Sequence, residues 1–227
     1  MNKAFILSIF ISLALAGCQS SKEPVGAAAG NECAHCAGAS ESSVDDSLDT
    51  TYASEWLPES KRGKAVSLPL FENQAGRQVT TEDLRGAPVA LSFIYTRCEN
   101  QRKCPLVART MAELQKEVQQ AKITPHPRLA LVTYDPEYDT PKQLKAFGKT
   151  HGVHFTDTAM LLRPEADRKE QLFKDLNVRV NFNERGVNLH GVQLILLDKQ
   201  GRFVRAYHTL IWSNDKVLAD LKRLASE

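Results

Sequence analysis

The chain has 227 residues, a formal charge of +2, 42% hydrophobic residues and 25% charged ones. Such near-balance gives no reason to expect a nucleic-acid partner, which requires a clustered basic surface, and the composition is ordinary for a soluble globular domain. The length accommodates one domain of moderate size with appended segments. Five cysteines are too few for a disulfide scaffold, so their grouping matters more: Cys18 alone, Cys33 with Cys36, and Cys98 with Cys104.

At the start of the chain, Lys3 supplies a short positive region, and Ala4 to Ala16 is apolar apart from Ser8 and Ser12. This run falls short of the roughly 20 apolar residues of a membrane-spanning helix and fits the apolar region of a signal peptide. It ends in Leu15-Ala16-Gly17-Cys18, which resembles the lipobox of bacterial lipoproteins. That resemblance implies a signal peptide over residues 1–17, a lipid on Cys18, and a domain anchored to a membrane of the bacterial cell envelope, outside the cytoplasm.

Residues 18–60 are rich in Ala, Gly, Ser, Asp and Glu and lack a period of 3.6 or 2, which predicts a flexible tether. Within it, Cys33-Ala34-His35-Cys36 sets two thiols and an imidazole close together, a donor set suited to Cu(I) or Zn(II). Ala37 stands where haem attachment needs histidine. Cys33, His35 and Cys36 are therefore a candidate accessory metal or disulfide site, with free thiols equally compatible.

Residues 61–227 alternate strand and helix signals. Val66 to Phe71 reads as a short strand, Gln74 to Arg77 as a turn, and Thr80 or Thr81 as the cap of a short helix through Leu84. Pro88 to Tyr95 is a buried strand. Pro105 to Ala121 places Leu106, Val107, Met111, Leu114 and Val118 on one helical face. A strand over Leu129 to Tyr134 follows, then a helix from Thr140-Pro141 to Lys149, a strand over Met160 to Leu162 and a helix over Glu165 to Leu176. Val192 to Leu197 and Arg202 to Tyr207 form a hairpin around Lys199-Gln200-Gly201, and Ser213 or Asn214 caps a final amphipathic helix. This order predicts a three-layer α/β/α sandwich on a mixed sheet.

The connection Thr96 to Pro105 joins the strongest strand to the longest helix, a usual place for function in such folds. Cys104 stands at the helix start, where free N–H groups and the positive end of the dipole favour a thiolate; Arg97, Arg102 and Lys103 act in the same sense. Five residues separate Cys98 from Cys104, so the loop allows a disulfide or one shared metal, and soft thiolates favour Cu(I). His190, ahead of the late hairpin, is the candidate third ligand, although taken alone it reads rather as a satisfied loop or core histidine. His126 reads as an exposed loop residue, His151 and His154 as structural, and Trp56 and Trp212 as packing residues.

Several segments together resemble the SCO/SenC family of copper-binding, thioredoxin-fold proteins: Phe93-Ile94-Tyr95-Thr96-Arg97-Cys98 with Cys104-Pro105-Leu106; Val132-Thr133-Tyr134-Asp135-Pro136-Glu137-Tyr138-Asp139-Thr140-Pro141; and His190 with the strand and Asp198 to Arg202 turn after it. The resemblance implies a thioredoxin-like fold and a copper site made of Cys98, Cys104 and His190. It further implies service to the copper-centre subunit of cytochrome c oxidase, by delivering copper or keeping the centre reduced. Two positions depart from the family pattern. Its commonest loop has three residues between the cysteines, and many members carry Asp where Leu189 precedes His190. The competing expectations are a thiol–disulfide reductase using Cys98 and Cys104 as its redox pair on a client's cysteines, and a redox or copper sensor.

Overall fold

In a computed structural model of the chain, residues 54–184, 186–210 and 212–227 are described. The expectations for Cys18, Cys33, His35 and Cys36 lie outside them.

Among the described residues, seven strands form one mixed sheet in the order β2-β1-β5-β4-β3-β8-β9. Its centre is β3 (Val89–Ile94), parallel to β4 (Arg128–Thr133), which is parallel to β5 (Ala159–Pro164). Every β3 residue is buried, as its unbroken apolar run requires of a strand covered on both faces. On one side β3 pairs antiparallel with β8 (Leu194–Leu197), which pairs with β9 (Phe203–Tyr207). At the far edge, β1 (Phe71–Asn73) runs antiparallel to β5 and to β2 (Gln78–Val79).

One face of the sheet carries α2 (Cys104–Ala121), α3 (Pro141–Thr150) and α5 (Asn214–Ser226), through Val107, Met111, Leu114, Leu144, Val217 and Leu221. The other face packs Leu84 of α1 (Thr81–Leu84) and Leu172 and Phe173 of α4 (Lys169–Asp175) against Leu91, Phe93 and Val132. Burying a large side chain of this kind contributes about 1.5–3 kcal/mol, so the two apolar layers dominate the stability. The thioredoxin-like α/β/α sandwich expected from the sequence is the fold found.

Local signals placed the helix starts. Thr80 with Asp83 and Thr140 with Gln143 each close a capping box, and Ser213 caps α5 by accepting from the Lys216 N–H. The first predicted strand differs. Val66 to Leu70 contains no strand, and β1 starts at Phe71. Pro69 offers no N–H to a ladder, and the segment's backbone bonds lie at its ends: the Ala65–Arg202 bridge and the Val66 N–H to Gly201 O bond at one, the Glu165 N–H to Leu70 O bond at the other. From Ser54, the first residue described, the chain packs on β9. The Ser54 and Leu57 N–H groups donate to Ala206 and Val204 of β9, and the Trp56 ring is ringed by Arg62, Arg205 and Arg223.

One element has no counterpart in the sequence reading: β6 (Val180–Asn183) and β7 (Gly186–His190) form a separate two-stranded antiparallel ribbon. It leads to the functional site.

Candidate metal centre

Three elements converge at the carboxyl end of β3. The loop after β3 carries Cys98, α2 opens on Cys104, and His190 ends β7. All three side chains are buried. The His190 Nε2 lies 3.9 Å from the Cys98 Sγ and 3.7 Å from the Cys104 Sγ. Among the described residues this is the one group of three His, Cys, Asp or Glu side chains whose donor atoms all lie within 4.8 Å of one another. In a trigonal site with bonds of about 2.0 Å to nitrogen and 2.3 Å to sulfur, those two ligand atoms stand roughly 3.7 Å apart. The triangle therefore has the size of a single-ion site, and both thiols are free.

The family model described as SCO1/SenC matches residues 64–226. The chain belongs to the SCO1/SenC family. Its fold is similar to that of a SCO1/SenC family lipoprotein from Bacillus anthracis, with a TM-score of 0.64 and 27% identity over 77% of this chain and 98% of that one. It is similar as well to BsSco, a member of the Sco family of cytochrome c oxidase assembly proteins for which a disulfide switch has been identified; here the TM-score is 0.62, with 28% identity over 72% of this chain and 94% of that one. The copper-bound ScoI of Bradyrhizobium japonicum shares the fold at a TM-score of 0.58 and 22% identity, over 70% of this chain and 99% of that one.

In this SCO1/SenC chain the histidine is held from several sides. Its Nδ1 lies 3.0 Å from the Gly191 carbonyl oxygen. A carbonyl only accepts, so Nδ1 carries the proton and Nε2 turns its lone pair toward the sulfurs. The imidazole packs against Tyr95 and Tyr134, with ring centroids 5.4 and 5.1 Å away. Lys103 of the cysteine loop reaches the His190 carbonyl at 3.4 Å.

The loop has its own fastening. Asp139, fully buried, accepts from the Thr96 N–H at 3.1 Å and from the hydroxyls of Thr96 and Thr133. Arg97 pairs with Asp135 at 2.5 Å and stacks on Tyr138, its guanidinium carbon 3.9 Å from the ring centroid. Gly186, at φ +106°, lies so close that a Cβ there would come within 2.7 Å of the Arg97 Nη2. The ribbon bearing His190 thus seats on the loop bearing Cys98. The sequence reading assigned Arg97 only to the local positive charge and gave Tyr95 and Tyr134 no role at the site. Gly186 between the short alternating runs Val178-x-Val180-x-Phe182 and Val187-x-Leu189 was the one available sign of the ribbon.

The two thiols differ in a way the helix-dipole argument did not anticipate. Cys104 is the first residue of α2 and fully buried, and burial together with the neighbouring Cys98 pushes its thiol up. Cys98 is pushed down, chiefly by the hydrogen bond from the Cys104 thiol and against its own burial. The first thiolate therefore forms at Cys98, because desolvation at Cys104 outweighs the dipole. Tyr95 is pushed up to about 12 by burial and the thiols, so it stays neutral beside them.

The remaining histidines stand apart from the site. His126 and His154 are exposed, the His151 Nδ1 bonds the Phe147 carbonyl oxygen, and His208 follows β9. Trp212 is buried and donates to Asn214.

Proposed function

We propose that this chain is a membrane-tethered copper-binding protein that delivers copper to, or maintains, the copper centre of a respiratory cytochrome c oxidase. The observation that carries the reading is the convergence of two free thiols and one correctly protonated imidazole on a single-ion triangle. Two thiolates and a neutral imidazole favour Cu(I), which accepts three-fold coordination, whereas a structural zinc site closes with four ligands. Copper bound by Cys98, Cys104 and His190 is held where an incoming client thiol or imidazole replaces one ligand at a time. The copper-bound ScoI and the oxidase-assembly role of the Sco family support this reading.

The tether belongs to the same proposal. No helix among the described residues is long and apolar enough to cross a membrane, and the similar Bacillus anthracis protein is a lipoprotein. Lipidated Cys18 anchors the domain to a membrane of the cell envelope, outside the cytoplasm; the expected tether of residues 18–60 serves as the leash up to Ser54, from which the chain is packed on β9 as part of the working domain. Fatty-acid label should follow the wild-type chain into the membrane fraction and be lost from Cys18→Ser. A labelled Cys18→Ser chain removes the anchor from the proposal.

A second reading rests on the unequal thiols. A Cys98 thiol pushed down beside a Cys104 thiol pushed up is the arrangement of an attacking and a resolving cysteine, so the pair also suits thiol–disulfide exchange on a client.

Titration of the reduced, metal-free chain with Cu(I) tests the first reading. One ion per chain is expected, and the Cys98→Ser/Cys104→Ser chain should take up none at that site. Failure of the reduced wild type to bind copper ends the proposal. A second ion that disappears from Cys33→Ser/Cys36→Ser would assign the accessory cluster with His35.

A further inference from the structure

Tyr134 is 1% exposed and lies one residue beyond β4, among Phe93 and Phe173 at centroid distances of 5.4 and 5.9 Å. Phenylalanine would fill that aromatic space equally well. The hydroxyl is what packing does not require, and a buried hydroxyl without a partner costs about 1–3 kcal/mol. It donates to the Gly191 carbonyl at 2.9 Å, the same oxygen that receives the His190 Nδ1.

That shared acceptor is otherwise weakly held. Gly191 follows the last residue of β7 and belongs to no strand. Its N–H is tied to the Arg179 carbonyl, but that bond fixes the peptide before Gly191, not the plane of the Gly191 carbonyl itself. Leu189, on the other side of the histidine, is 62% exposed and brings no polar atom that could bond Nδ1.

We infer that Tyr134 is the positioning residue of the metal centre: through the Gly191 carbonyl it sets the tautomer and aim of His190. The hydroxyl orients the carbonyl, the carbonyl holds the proton on Nδ1, and Nε2 is left as a lone pair facing Cys98 and Cys104. The Tyr134 ring against the imidazole adds a second restraint. Outer partners of this kind typically change metal affinity 10–100-fold when removed. This inference rests on the reading of Cys98, Cys104 and His190 as copper ligands.

The test uses the full chain as Tyr134→Phe, which keeps the ring and removes the hydroxyl, beside wild type and His190→Ala. In the metal-free reduced protein, nitrogen-15 NMR of the His190 imidazole should show one tautomer, protonated on Nδ1, in wild type and a mixture in Tyr134→Phe. Cu(II) affinity should fall about tenfold, with the sulfur-to-copper absorption band displaced, while Cu(I) affinity changes less because the two thiolates remain. All spectra are taken well below the unfolding midpoint of each variant, so lost packing does not enter. A single unchanged tautomer together with unchanged Cu(II) affinity overturns the inference and leaves Tyr134 as a core residue. If His190→Ala binds copper as wild type does, the copper reading fails, and the tautomer measurement still decides what Tyr134 does to His190.

Discussion

Replacing His190 with Ala is expected to abolish stable Cu(II) binding, weaken Cu(I) binding less, and leave Cys98 and Cys104 able to cycle between dithiol and disulfide. Cu(II) depends on the nitrogen donor, whereas Cu(I) tolerates the two sulfurs alone. Losing an outer partner already costs 10–100-fold in affinity, so loss of the ligand itself should cost Cu(II) at least about 100-fold. Thiol–disulfide exchange proceeds through sulfur and needs no imidazole. The variant therefore separates two functions that cysteine variants cannot, since both need the thiols. If the task is copper delivery, oxidase activity in cells carrying His190→Ala should fall to the level of the Cys98→Ser/Cys104→Ser strain. If it is thiol reduction, activity should stay near wild type. An unchanged copper spectrum would remove His190 from the site, despite its 3.7 Å approach to Cys104.

Asp139→Ala should be the most damaging substitution outside the ligands. The carboxylate is fully buried and serves three donors at once: the Thr96 N–H, the Thr96 hydroxyl and the Thr133 hydroxyl. Truncation leaves the buried Thr133 hydroxyl and the half-buried Thr96 N–H and hydroxyl without their acceptor, and opens space two residues before Cys98. Unsatisfied buried donors cost about 1–3 kcal/mol each before relaxation, and network losses fall in the upper range of single substitutions, so about 3 kcal/mol is expected. Urea unfolding of the metal-free chain measures it, and a loss under about 1 kcal/mol would show that the network contributes little.

Asp139→Asn refines the same point through pH. Burial raises the Asp139 carboxyl above its ordinary value of 3.8, against the pull of the threonine donors. A carboxyl raised in the fold holds its proton more tightly there than in the unfolded chain. Its contribution is then complete below the unfolded value and declines as pH rises through the folded one. The stability gap between wild type and Asp139→Asn should narrow as pH rises above 3.8. A gap that widens with pH would mean that the three hydrogen bonds outweigh burial.

Much of this protein was legible before any coordinates. The β3 and β4 runs, the α2 periodicity and the helix starts at Thr80 or Thr81 and at Thr140-Pro141 are local patterns, decided by side chains within one or two turns of each other. Cys98, Cys104 and His190 were named from the loop chemistry and the family resemblance, and the structure brings these residues together. The β6–β7 ribbon was missed because its strands are half-exposed: β6 alternates half-buried and exposed residues, and β7 buries only His190. Neither presents the apolar run by which a core strand declares itself.

The sequence by itself determined the layers of the fold, the loop that carries the cysteines and the chemical identity of the donors, because those follow from periodicity, turn chemistry and residue type. Tertiary structure alone decided which thiol ionises first, which nitrogen of His190 is free, and what holds the ribbon on the loop. Desolvation at Cys104, the Gly191 carbonyl that Tyr134 reaches, and the Arg97 contact with Asp135 and Gly186 join residues 38 to 89 positions apart or depend on burial from all sides. Interactions between such distant positions leave no periodic trace in the chain, since only folding brings the groups within bonding distance.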